Sequence, residues 1–170
     1  MSLTFLLGGA RSGKSSLAVE LARRASCPVT VIATAEPRDD EMRERILLHK
    51  RERPGDWQTI EEPVDLAGPF AEAPTDAAIV LDCLSLWVAN VLECGADDAA
   101  VEQQNAALVD AARTRSALTI VVSNEVGLGV VPATVLGRRY RDLLGRVNAS
   151  WAAAADEALF VVAGRALALR

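Results

Sequence analysis

The stretch GGARSGKS, Gly8 to Ser15, constrains this chain more than any other feature, because it matches G-x-x-x-x-G-K-[ST] and stands between an apolar run and a helix-like segment. Such a loop turns its backbone N–H groups inward around a polyphosphate, helped by the positive end of the helix that follows. Gly8 and Gly13 allow close backbone approach, and the loop residues Gly9, Ala10, Arg11 and Ser12 complete the cradle. Lys14 supplies charge for the β and γ oxygens, and the Ser15 hydroxyl is suited to Mg²⁺. Expected ligands are therefore Mg²⁺ with GTP or ATP as co-substrate.

The apolar run Leu3 to Leu7 before the loop is one of several. Val29 to Ala33, Ala78 to Leu81, Leu118 to Ser123 and Leu159 to Val162 have the same β-rich character, and helix-length segments separate them. Leu17, Leu21 and Ala25 share one helical face; Leu136, Tyr140, Leu143, Val147 and Trp151 share another. Alternating strands and helices, with nearly continuous apolar strands, predict an α/β fold: a mostly parallel sheet with helices on both faces and ligands at the strands' carboxyl ends. With 170 residues and no linker or repeat, residues 1–170 read as a single P-loop nucleotide-binding domain.

Composition narrows the partners. The net charge of −5 argues against nucleic acid or an anionic membrane as the principal partner. The first apolar run is too short for a signal peptide or a membrane span, so a cytoplasmic protein is expected. Cys27, Cys83 and Cys94 are odd in number and form no C-x-x-C pair, and they read as packing residues.

Two sites should join the phosphate loop. In AAIVLD, Asp82 follows four apolar residues and should emerge at the sheet's carboxyl edge as a metal carboxylate; the competing reading is a cap for a helix starting near Leu84. After Pro37, Asp39 and Asp40 are candidate caps for a helix that carries His49 near its end and stops at ERPGD. His49 is the single histidine of the chain. An imidazole with a free pKa near ~6.5 is an available nucleophile at neutral pH. Lys50, Arg51 and Arg53 beside it suit triphosphate charge, although a solvated helix end has the same composition. Glu61 and Glu62 follow the alternating WQTI and precede Pro63, so they sit at a strand end or in a solvated turn. Trp57 fits core packing better than base stacking, Trp87 and Trp151 read as core, and GRRYRDLLGR is a basic helix face.

The class of P-loop protein is narrowed by what is missing. The strand that would read guanine ends VVSNEVGLG rather than N-K-x-D, and DCLS, after the metal-carboxylate strand, lacks the D-x-x-G pattern of a switch loop, which sets a switch GTPase aside. Three readings remain on residues alone: a transferase using a covalent histidine, a kinase of another small metabolite, and a nucleotide-dependent interaction protein without transfer chemistry.

The segments GGARSGKS, VIATAEPRDDEMRERILLHKRERPGDWQTIEEP, VLDCLSLWVANVL and VSNEVGLGVVPATVLGRRYRDLLGRVNASWAAAADEALFVVAG together resemble the bifunctional adenosylcobinamide kinase / adenosylcobinamide-phosphate guanylyltransferase family of cobalamin biosynthesis. The resemblance covers nearly the whole chain. It implies a RecA-like P-loop fold, phosphorylation of adenosylcobinamide, and transfer of GMP from GTP through a guanylylated histidine to adenosylcobinamide phosphate, giving adenosylcobinamide-GDP. The family's histidine window, after D-D-E-M and before R-P-x-x-W, holds only His49. By the same resemblance, nucleotide contacts fall on Gly8 to Ser15, Ala33, Thr34, Ala35, Lys50, Arg51, Glu52, Arg53, Glu61 and Asp82, and the assembly is a homotrimer. Family members can carry a carboxylate one methylene longer where this chain has Asp82.

Overall fold

The long apolar runs become the inner strands of one sheet, and their period-two alternation separates two cores. The structure, a computed structural model, describes residues 3–169. Its elements are β1 (Leu3–Gly8), α1 (Lys14–Arg24), β2 (Val29–Ala33), α2 (Asp40–Glu52), β3 (Gln58–Glu61), α3 (Ala67–Glu72), β4 (Ala78–Asp82), α4 (Leu84–Glu93), α5 (Asp98–Thr114), β5 (Thr119–Asn124), α6 (Val135–Ala154), β6 (Glu157–Val162) and β7 (Arg165–Leu169). The seven strands run in the order β3-β2-β4-β5-β1-β6-β7. Every pairing is parallel except the terminal β6–β7 hairpin.

Leu3, Phe5, Leu7, Ile79, Leu81 and Val121 face α3 to α6 and join Trp87 and Trp151 in one core. Leu6, Val31, Val80, Ile120 and Val122 face the other way, against Ala18 and Ala22 of α1. Both faces are thus covered, which is why these strands lack the polar alternation of a half-exposed sheet. The expected α/β P-loop architecture is the one observed.

Helix ends follow local chemistry. Asp39 caps α2 by accepting from Met42 N (2.7 Å), Asp97 caps α5 through Ala100 N (2.8 Å), and Thr134 caps α6 through Gly137 N (3.0 Å). Helix α2 opens with Asp40 and Glu41 and ends with His49, Lys50 and Arg51, which complements the helix dipole, yet none of its residues is buried. It is held at the carboxyl edge of the sheet by polar contacts rather than by a core face.

Some expectations shift. On α1 the deepest positions are Ala18 and Ala22, with Leu17, Leu21 and Ala25 flanking them only partly buried. On α6, Leu143, Val147 and Trp151 are buried, but Leu136 is exposed because the first turn stands clear of neighbouring helices. Cys83 is buried and Cys27 half-buried, whereas Cys94 is exposed at the end of α4. Trp57 packs against the α1-side core. The basic residues of GRRYRDLLGR are largely spent inside the molecule: Arg139 Nε reaches Asp98 Oδ1 (2.6 Å), and Arg146 bridges Asp98 and Glu102, clasping α6 to α5. Strand β7 was not anticipated. Among the described residues no helix is long and apolar enough to cross a membrane.

Candidate active site

The phosphate loop leaves β1 at Gly8, where backbone crowding demands glycine: a Cβ there would lie 2.2 Å from the Val161 carbonyl oxygen of β6. Gly13, at the start of α1, has φ 103°, the left-handed region that glycine adopts without strain. Neighbours hold the loop in shape. Glu125 N donates to Gly8 O (3.0 Å), and Gly164 N, in the β6–β7 turn, donates to Ser12 O (2.9 Å). The unforeseen hairpin is therefore a buttress for the loop.

Lys14 is buried, and its Nζ donates to Gly9 O (2.6 Å), with Ser12 Oγ at 3.4 Å. Burial pulls its amine below the ordinary lysine range, against the opposing pull of Asp82. Lys14 and Ser15 open onto a cavity of about 440 Å³ at the sheet's carboxyl edge, which Arg11, Ser12 and Gly13 also line. That size is within the range of small-molecule sites.

The opposite wall is α2. His49 Nδ1 lies 3.6 Å from Asp82 Oδ2, and Arg53 Nη2 donates to the same oxygen at 3.3 Å. Asp82 ends β4, one strand removed from β1 across β5. Burial pushes its carboxyl up, but the adjacent His49 and the charge of Arg53 outweigh that and hold it below the ordinary carboxylate range. The cap reading of Asp82 gives way: Cys83 occupies the N-cap of α4, and no side chain caps it.

Most of the expected nucleotide residues converge on this one space. Ala33 and Ala35 line it from the end of β2; Lys50, Glu52, Arg53, Glu61 and Asp82 line it from α2, β3 and β4. Lys50 pairs with Glu61. Five expected residues lie outside the lining. Gly8 is buried beneath the loop, Gly9 lends its carbonyl to Lys14, Ala10 is exposed on the loop, and Arg51 points away on the exposed side of α2. Thr34 is fully buried; its Oγ1 donates to Cys83 O (2.7 Å) and accepts from Cys83 N (2.8 Å), tying the ends of β2 and β4 together. Glu62 accepts from Val64 N and Asp65 N and shapes the turn after β3.

Sequence reasoning missed Glu41, Arg45 and Leu48 on α2 and Asn124 at the end of β5, all of which line the cavity. A signal existed for three of them. Arg45 and Glu41 lie four and eight residues before His49, on its helical face, and Asn124 ends a strand whose carboxyl end should meet the ligand.

Among the described residues, no group of three or more His, Cys, Asp or Glu could hold a metal alone. Magnesium bound with nucleotide phosphates needs only one or two protein oxygens. Ser15 and Asp82 line the same cavity, and both protein contacts of the Asp82 carboxylate use Oδ2, so its remaining oxygen and the Ser15 hydroxyl form a donor set that fits this ion.

Comparison with known proteins bears on the fold and the family. A solved structure of an ATPase from the type III secretion system of pathogenic bacteria superposes with TM-score 0.54 at 9% identity, covering 94% of this chain; the chain spans about half that ATPase's length, and the likeness concerns the fold alone. Among curated proteins, the bifunctional adenosylcobalamin biosynthesis protein CobP of Pseudomonas aeruginosa is 42% identical over 166 residues, covering 97% of this chain and 95% of its own. The bifunctional adenosylcobalamin biosynthesis proteins CobU of Salmonella typhimurium and Escherichia coli are 39% and 37% identical, each match covering 95% of this chain and 96% of the relative. The family described as cobinamide kinase / cobinamide phosphate guanyltransferase matches residues 4–169, and with relatives this similar over nearly their whole length, the chain belongs to that family.

Proposed function

We propose that this chain, acting as one domain, phosphorylates adenosylcobinamide and then transfers GMP from GTP, by way of His49, to adenosylcobinamide phosphate, yielding adenosylcobinamide-GDP in cobalamin biosynthesis. The observation that carries this reading is the placement of the chain's one histidine over the phosphate loop: His49, Lys14 and Ser15 share a single cavity. One nucleotide site can then serve both reactions.

In the kinase step, the loop amides and Lys14 hold the triphosphate, and the buried amine stabilises negative charge that develops on the transferred phosphoryl group. In the second step, the His49 ring attacks the α-phosphorus of GTP. The bond from the α-phosphorus to its bridging oxygen breaks and pyrophosphate leaves with the electron pair. An oxygen of cobinamide phosphate then attacks the phosphoramidate, the P–N bond breaks, and its electrons return to the ring. Two easier displacements replace one hard one.

Arg53 and Arg45 offer further positive charge to the phosphates, while Glu61, at the end of β3, and Lys50 suit the ribose and base end. The candidate nucleotide set is Gly8 to Ser15, Ala33, Thr34, Ala35, Lys50, Arg51, Glu52, Arg53, Glu61 and Asp82. Of these, Gly8 and Thr34 act by shaping the site, since both are buried beneath it. Ser15 and Asp82 would hold Mg²⁺, which supplies neutralisation of phosphate charge when bound. The substrate partners are adenosylcobinamide and its phosphate; cytoplasmic residence and a homotrimeric assembly complete the proposal.

GTP labelled at the α-phosphate tests the reading. Expected is acid-labile, alkali-stable label on His49 that chases into a corrinoid product when adenosylcobinamide phosphate is added. Turnover of γ-phosphate with no protein label would reduce the protein to a kinase.

A further inference from the structure

Helix α2 has no fully buried residue, and the charged neighbour of its His49 side chain is Asp82. Nδ1 faces Asp82 Oδ2 at 3.6 Å, and the ring and the carboxylate side chain are only 26% and 14% exposed. Asp82 is a firm anchor in its own right: it ends a strand paired on both sides, and Arg53 Nη2, on a side chain 10% exposed, donates to the same oxygen at 3.3 Å.

We propose that Asp82 is the positioning residue for His49, holding the ring by Nδ1–H so that Nε2 is the atom that takes up GMP. The proposal rests on the guanylyl-transfer reading above and adds to it the identity of the reacting nitrogen and the group that selects it. A neutral imidazole carries one ring proton, and a carboxylate beside Nδ1 keeps that proton there, leaving the lone pair on Nε2. Free imidazole side chains prefer the opposite tautomer, so the selection is a property of this site.

The chemistry then balances without a separate base. The Nε2 lone pair forms the bond to the α-phosphorus, pyrophosphate departs with the bridging oxygen's electrons, and the Nδ1 proton never leaves the ring. The positive charge that spreads over the imidazole during attack faces the Asp82 carboxylate at close range. This is the orienting role that a third group plays behind a base or nucleophile in other transferases. When cobinamide phosphate attacks, the P–N electrons return to Nε2 and the starting tautomer is restored.

The single histidine makes the test direct. Protein carrying ¹⁵N-histidine yields one imidazole spectrum, read at a pH well above the ordinary imidazole value of ~6.5. Before GTP, the wild type should show protonated Nδ1 and unprotonated Nε2; after GTP, ¹⁵N–³¹P coupling should appear at Nε2. In Asp82→Ala the ring should revert to the Nε2–H tautomer, and the single-turnover label rate should fall ~10–100-fold, the span known for losing the carboxylate that orients a metal-bound histidine. Excess Mg²⁺ should not restore that rate, and Asp82→Glu should restore it in part. Phosphorus on Nδ1, an Nε2–H tautomer in the wild type, or full recovery of Asp82→Ala by Mg²⁺ would each overturn the assignment while leaving guanylyl transfer standing. Absence of any label on wild-type His49 would instead remove the guanylyl-transfer reading, and this assignment with it. The wild-type measurements hold even if Asp82→Ala does not fold.

Discussion

Replacing Lys14 by methionine should separate what the buried lysine does for the fold from what it does for the reaction. Lys14 is 6% exposed, and its stem packs at the base of the loop, which methionine can match in length. The substitution removes the Nζ bond to Gly9 O, but Gly9 is exposed and its carbonyl can hydrate. Against that loss stands relief of a desolvated charge. Burial lowers the Lys14 pKa, so the folded state holds this proton less tightly than the unfolded chain. The penalty is therefore full below the lowered value and lifts as pH rises through it toward 10.5. A charge-assisted hydrogen bond worth ~1.5–3 kcal/mol, partly replaced by water, and a desolvation cost of the same order nearly cancel. The expected net change is within ~1 kcal/mol, or a Tm within ~4 °C of wild type for a domain of this size. Catalysis should respond very differently. A unit charge ~4 Å from developing phosphate charge is worth roughly 4 kcal/mol at a surface-like effective dielectric constant, and deleting one such donor costs ~10²–10³ in rate. Both phosphoryl transfer and formation of the protein label should fall by that factor, because both use the same loop. Thermal melts at pH 7, paired with γ-phosphoryl transfer and α-label assays, measure the two effects. A Tm more than ~8 °C below wild type would make Lys14 a structural residue. Either activity within tenfold of wild type would show that its charge is not used.

Three further outcomes follow from particular contacts. His49→Ala should abolish the covalent label and corrinoid-GDP formation yet keep kinase turnover within about tenfold, since phosphoryl transfer depends on the loop and its charge and α2 has no fully buried residue; equal loss of both activities would place His49 in binding or folding. Trp151→Phe should cost ~2–4 kcal/mol, lowering Tm by roughly 4–16 °C in a thermal melt, because the indole is fully buried and its Nε1 donates to the buried Asn105 Oδ1 at 2.7 Å, which is left without a donor. Pairing it with Asn105→Leu should cost less than the sum of the two single changes. Asp98→Asn should loosen the α5–α6 clasp by ~1 kcal/mol at low salt, the combined worth of two exposed pairs. Hydrogen bonding from Arg139 leads in holding Asp98 below 3.8, so its contribution is present above that value and is lost as pH falls through the lowered one. Melts of both proteins across pH should therefore converge only in acid.

Much of this protein is determined locally and can be read without coordinates. The phosphate loop depends on residues adjacent in sequence: Gly8 for crowding, Gly13 for its positive φ, Lys14 and Ser15 for charge and hydroxyl. The apolar strands, the Asp39 cap and the stop at Pro54 are likewise short-range, and the family motifs run along the chain in order. Tertiary structure decided what meets what. Nothing near Asp82 in sequence says whether its carboxylate caps α4 or turns to the cavity, because the deciding partners, Arg53 and His49, arrive from another element. Helix α2 has polar residues on every side, so no apolar face foretold which way it would lie over the sheet edge, and Arg45 and Glu41 went unnoticed as lining. The β6–β7 turn supports Ser12 through a backbone bond, and backbone groups are the same in every residue. The basic stretch of α6 looked like a solvated face because side-chain type states what a residue can bind, and only the fold supplies the nearest partner.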